Sequence, residues 1–198
     1  MAQSIPYMVY KAGLAFNTFM LATDARGAQE GDAGAFGIIA SNITNAEVEQ
    51  LLRLGEEPAL SVARANGDLG GLKHTDRAIR ATVPKSRLPH VFTEPERWHP
   101  VDRGTWQYQD HICLGEARTV IKAMGHMSTF PALRDKIQFS LQDDTPVAYV
   151  WAKGRAASWP LNYLARKRAA LSLATGSRIY LPWVESARQP ADGLSRSI

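Results

Sequence analysis

Cysteine is almost missing: the 198-residue chain has one, Cys113. A single thiol closes no internal disulfide, rules out a cysteine-based zinc site and argues for a reducing compartment. Cys113 itself reads as a small buried apolar residue. Long apolar runs are missing too. None approaches the ~20 residues that span a bilayer, so no membrane partner is expected. No basic segment followed by a clean apolar stretch opens the chain, which argues against a secretory signal. Residues 1–25 are also poor in arginine, the mark of a transit peptide. The five histidines are scattered without ligand spacing, so a zinc site is not expected. No internal repeat or low-complexity tract is present. Gly27, Gly34 and Gly37 lead directly into no helix, so they make no dinucleotide-binding fingerprint.

What is present fits one globular domain with a sizeable core. Hydrophobic residues make up 45% of the chain, an ordinary share. The net charge of +4 and a pI near 9.3 favour an anionic partner such as nucleic acid.

Two strands are expected around a glycine-rich turn. Phe19 to Ala22 is an apolar run that ends at Thr23-Asp24, and Ala35 to Ala40 is the second strand. Residues 44–54 read as a helix capped by Thr44 or Asn45, with Val48, Leu51, Leu52 and Leu54 on one face. Residues 42–100 read as a basic insertion, with helical turns at 58–65 and 73–81 and with Lys73, Arg77, Arg80, Lys85 and Arg87. From there the pattern sharpens: a strand over 104–108, a helix over 112–127, a strand over 136–141 and a helix over 145–152. A longer helix follows over 160–175, opened by Pro160 and stopped by Gly176. The last strand spans 178–184 and a helix stub follows it. Three strands and then alternating helices and strands imply an α/β fold with a mixed sheet covered by helices.

Four carboxylates fall at element ends. Asp24 closes the first strand, Glu116 lies early in the central helix, Asp143 closes the fourth strand and Asp192 starts the terminal helix. Singly, each has a bland alternative as a turn former, a cap or a complement to the helix dipole. Asp32 competes with Asp24, and Asp144 with Asp143. Four converging carboxylates would repel and would need divalent cations to stay ionised together. Oxygen-only ligands select Mg²⁺ or Mn²⁺, and two such ions about 4 Å apart promote phosphodiester hydrolysis.

Several stretches carry a resemblance. "ATDARG…GAFGII" (22–39), "HICLGEARTVIKAM" (111–124), "DDTPVAYVWAKGR" (143–155) and the closing "LNYLARKRAALSLATGSRIYLPWVESARQPADGLSR" (161–196) are together similar to the ribonuclease H domain of retroelement reverse transcriptases of the LTR or DIRS kind. The resemblance implies a ribonuclease H-like mixed five-stranded sheet with flanking helices and a long insertion between strands 2 and 3. It implies two Mg²⁺ or Mn²⁺ ions held by Asp24, Glu116, Asp143 and Asp192, and cleavage of the RNA strand of RNA/DNA hybrids. The spacing to Lys153 in this motif favours Asp143 over Asp144. The chain starts just before the first strand, which reads as a domesticated stand-alone copy without polymerase palm or thumb.

Lys153, Arg155 and the cluster Arg166, Lys167 and Arg168 are candidate phosphate contacts, against the plain alternative of a solvated helix face. Trp151 and Trp159 are expected to pack in the core. The insertion is a candidate surface for RNA or a protein partner. A rival function is an inactive, domesticated ribonuclease H-like subunit, structural or RNA-binding, within a ribonucleoprotein. The absence of any histidine after His126 favours the rival, because cellular relatives use a loop histidine near the last carboxylate. Retention of four carboxylates favours the hydrolase.

Overall fold

Strand β1 (Ala15–Arg26) is buried on both faces from Met20 to Ala25, as a central strand covered by two layers must be. The computed structural model describes residues 13–54, 88–107 and 109–197. β2 (Ala35–Asn42) pairs antiparallel with β1, and β3 (His99–Thr105) antiparallel with β2. β4 (Lys136–Leu141) runs parallel to β1, and β5 (Arg178–Tyr180) parallel to β4. The sheet order is β3-β2-β1-β4-β5. This is an α/β, ribonuclease H-like mixed sheet with flanking helices, and the long connection lies between strands 2 and 3.

Helix α1 (Asn45–Leu54) starts on a capping box. Glu47 N donates to Thr44 Oγ1 at 3.3 Å, and Thr44 N donates back to Glu47 Oε2 at 2.8 Å. On this side of the sheet Met20, Ala22, Phe139 and Leu141 pack with Val48, Leu51, Phe92, Trp98 and Ala191. The opposite side is covered by α2 (Ile112–Ser128), α3 (Thr145–Lys153) and α4 (Trp159–Thr175). Ala117, Val120, Val147, Trp151, Leu164 and Ile179 form its core. Gly176 ends α4, as expected, in the left-handed conformation at φ +67. A short terminal helix, α5 (Asp192–Arg196), lies against β2 and β1.

Three expectations need correction. The third strand begins at His99 and ends at Thr105, not 104–108, so its start lies inside the stretch read as insertion. The segment before it is core, since Leu88, Phe92 and Trp98 are buried. The last strand is shorter than 178–184, because Pro182 has no N–H to donate to a ladder; only an isolated bridge, Gln142 to Trp183, continues it. On α1, Leu52 is exposed, and burial falls on Val48 and Leu51. The helical turns expected at 58–65 and 73–81, and the basic residues between Lys73 and Arg87, lie outside the described residues.

Candidate metal centre

Register and alternation bring the carboxylates together. β1 and β4 are in register at Ala22 and Leu141. Two residues further on, Asp24 stands beside Asp143, and side chains an even number apart share a face. Glu116 comes from α2, on the other side of the sheet. It reaches the last residues of β1, where Ala25 N donates to its Oε1 at 2.8 Å. One carboxylate oxygen each from Asp24, Glu116 and Asp143 lie within 4.8 Å of one another. These three residues can hold a metal ion.

Gly37 makes room for the terminal helix. It is the cross-strand partner of Asp24, and a Cβ on it would sit 2.9 Å from Ser195 N and 3.2 Å from Ala191 O. The bare backbone lets α5 settle onto the sheet. Ser195, fully buried, then donates its hydroxyl proton to Asp24 Oδ2.

The two inner carboxylates are 4% (Asp24) and 3% (Glu116) exposed. Their bonding partners are neutral. Besides the Ala25 amide, Gln142 Nε2 donates to Glu116 Oε2 at 2.9 Å, and Gln142 Oε1 accepts from Thr23 Oγ1 at 3.3 Å. Burial pushes the Asp24 carboxyl up to about 7; the Ser195 hydroxyl opposes this, and the charges of Asp143 and Asp192 add to it. Burial, and then the neighbouring Asp24, raise Glu116 well above its ordinary range. Buried oxygen ligands that repel one another and have neutral partners suit a hard cation, which would remove the charge excess.

Asp192 lines the same open cleft, about 580 Å³ in volume, together with Arg196 and residues 25–29. It does not belong to the three-residue cluster. Its Oδ1 accepts from Arg196 Nε at 2.6 Å. The two competing acids are bonded outside the cluster. Asp32 takes Arg26 Nη1 at 2.5 Å and Gly34 N at 2.8 Å inside the hairpin. Asp144 accepts from Val147 N at 2.8 Å as the cap of α3. Asp24 and Asp143 remain as the cleft carboxylates.

No known family model and no curated protein matches this chain.

The candidate phosphate contacts divide. Arg155, Arg166 and Lys167 are exposed, and Lys153 is half-buried at the end of α3. Arg168 is half-buried; it donates from Nη1 to Trp151 O at 2.9 Å and ties α4 to α3. Trp151 is core as expected, but Trp159 is not. Cys113 is half-buried; burial first and then Asp144 push its thiol up to about 12, so it stays protonated and unreactive. An apolar hollow of about 290 Å³ between the sheet and α2 gathers no carboxylates. Among the described residues no helix is long and apolar enough to cross a membrane. The sequence alone gives Ser195, Gln142 and Arg196 no role at the site. Ser195 and Arg196 stand within the quoted closing motif, and Gln142 directly precedes Asp143.

Proposed function

We propose that this domain is a metal-dependent endonuclease of the ribonuclease H type, descended from a retroelement reverse transcriptase, that hydrolyses the RNA strand of RNA/DNA hybrids. The reading rests on one observation above all: Asp24, Glu116 and Asp143 meet at the wall of an open cleft on a ribonuclease H-like sheet. These residues would hold Mg²⁺ or Mn²⁺, two ions in all, and Asp192 would complete the set from the cleft wall in exchange for its bond to Arg196. Bound there, the ions would supply an activated water and a stabilised leaving oxygen for phosphodiester hydrolysis.

The surrounding residues have positioning roles in this reading. Gln142 and the Ala25 amide fix the Glu116 carboxylate. Ser195 fixes Asp24. Arg155, Arg166 and Lys167 would track phosphates, and contacts to 2′-hydroxyls across the minor groove would mark the RNA strand.

One observation favours the rival, an inactive subunit of a ribonucleoprotein: the fourth carboxylate is paired with Arg196 and stays out of the cluster. Incubation of a labelled RNA/DNA hybrid with Mg²⁺ or Mn²⁺ separates the two. Cleavage is expected, confined to the RNA strand. Loss of an outer-shell partner costs about 10–100-fold at metal sites, so Asp143→Asn, which removes a ligand, is expected to cost more. Intact hybrid after incubation with folded wild-type protein would overturn the nuclease and leave the rival.

A further inference from the structure

Helix α4 hides few of its residues. Of 17, only Leu164 and Ala165 are fully buried. Trp159 is 74% exposed and Tyr163 49%. The two rings stack on each other, with centroids 5.8 Å apart and planes at 13°. The Lys167 ammonium lies 5.7 Å from the centroid of Tyr163. Residues 159, 163 and 167 are four apart, so they form one ladder on one helix face. The helix carries no acidic residue. Arg166 stands beside the ladder, and Arg155 is exposed in the preceding turn. None of these residues lines the carboxylate cleft; helix α3, about 13 Å long by its nine residues, runs between the cleft and this turn.

We propose that this face of α4 binds single-stranded nucleic acid, with the outer face of Trp159, backed by Tyr163, as the platform for an unpaired base and Lys167, Arg166 and Arg155 as phosphate contacts. An exposed aromatic pair already held parallel offers a base a flat face at little ordering cost. A duplex presents its base faces only at its ends, so an unpaired strand is the occupant that fits the platform. The cations and the lack of acids on the helix match a polyanion. Stacking accepts any base and either sugar, so RNA and DNA strands are both expected to bind. This inference goes beyond the cleavage reading and needs no metal.

The test is fluorescence anisotropy of the whole chain with labelled dT20 and U20 in EDTA, where binding is read without cleavage. Wild-type protein is expected to bind both strands. Trp159→Ala is expected to weaken binding about 5- to 100-fold with Tm unchanged, since the ring is exposed, and Trp159→Phe to restore most of it. An abasic strand of equal charge is expected to bind the wild type as weakly as dT20 binds Trp159→Ala. Lys167→Ala is expected to reduce the salt slope by about one phosphate contact. Equal affinity of wild type and Trp159→Ala, or of abasic and normal strands, would overturn the proposal. So would polyglutamate binding as tight as dT20, which would point to an acidic protein partner.

Discussion

Asp24 is buried beside two other carboxylates, so a proton and a cation compete for the same oxygens. Its carboxyl is raised from 3.8 to about 7 by burial, and Glu116 moves the same way. Between those two values the folded chain holds a proton that the unfolded chain has released. Raising the pH therefore destabilises the metal-free protein, and the contribution present below about pH 4 is lost by about pH 7. In EDTA, Tm is expected to fall between pH 5 and pH 8, and the fall to be smaller in Asp24→Asn, whose amide oxygen still accepts from Ser195. Parallel Tm profiles for the two proteins would refute this. The identity of the metal-cluster residues was half legible in the sequence. Strand-end position pointed to Asp24 and Asp143, but Asp32 and Asp144 sat as close along the chain. Bonding separates them: Asp32 is held by Arg26 and Gly34, and Asp144 by the start of α3.

Helix α5 has five residues, too few to be stable without its contacts. It is held where Gly37 leaves the sheet bare and where Ser195 meets Asp24. Gly37→Ala puts a methyl group into that contact. Overpacking of this kind costs about 1–3 kcal/mol, to be read by urea unfolding. Faster hydrogen exchange is expected at the α5 amides, with little change in α2. Unchanged stability and exchange would mean that α5 tolerates lifting off the sheet. Elements whose pattern is local are legible in the sequence: α2, β4, α3 and α4 fall within one or two residues of expectation, since apolar period, Pro160 and Gly176 act on their own neighbours. β3 was read poorly. Its edge sequence His99–Thr105 contains Pro100, its pairing with β2 shifts register between Ile38 and Ile39, and its residues are largely exposed. No alternation of apolar and polar residues marks such a strand.

For the whole molecule, metal binding and folding are linked, because the cluster exists only when β1, β4 and α2 are assembled. A cation at a hundredfold excess over its Kd adds about 2.7 kcal/mol to stability. For a chain of this size that raises Tm by roughly 5–10 °C. Mg²⁺ or Mn²⁺ is expected to raise Tm more at pH 8 than at pH 6, because protons compete for Asp24 and Glu116, and Asp143→Asn is expected to lose most of the shift. Calorimetry at both pH values checks this; an equal rise in wild type and Asp143→Asn would place the ion elsewhere. The sequence by itself determined the order of strands and helices, the central helix that carries Glu116 and the placing of acids at element ends, because these depend on neighbours along the chain. Tertiary structure decided which acids meet, that Gln142 and Ser195 position the cluster, and that Trp159 faces solvent. Those outcomes depend on strand register and on which face each helix buries; the bonds from the Ala25 amide to Glu116 and from Ser195 to Asp24 join residues 91 and 171 positions apart.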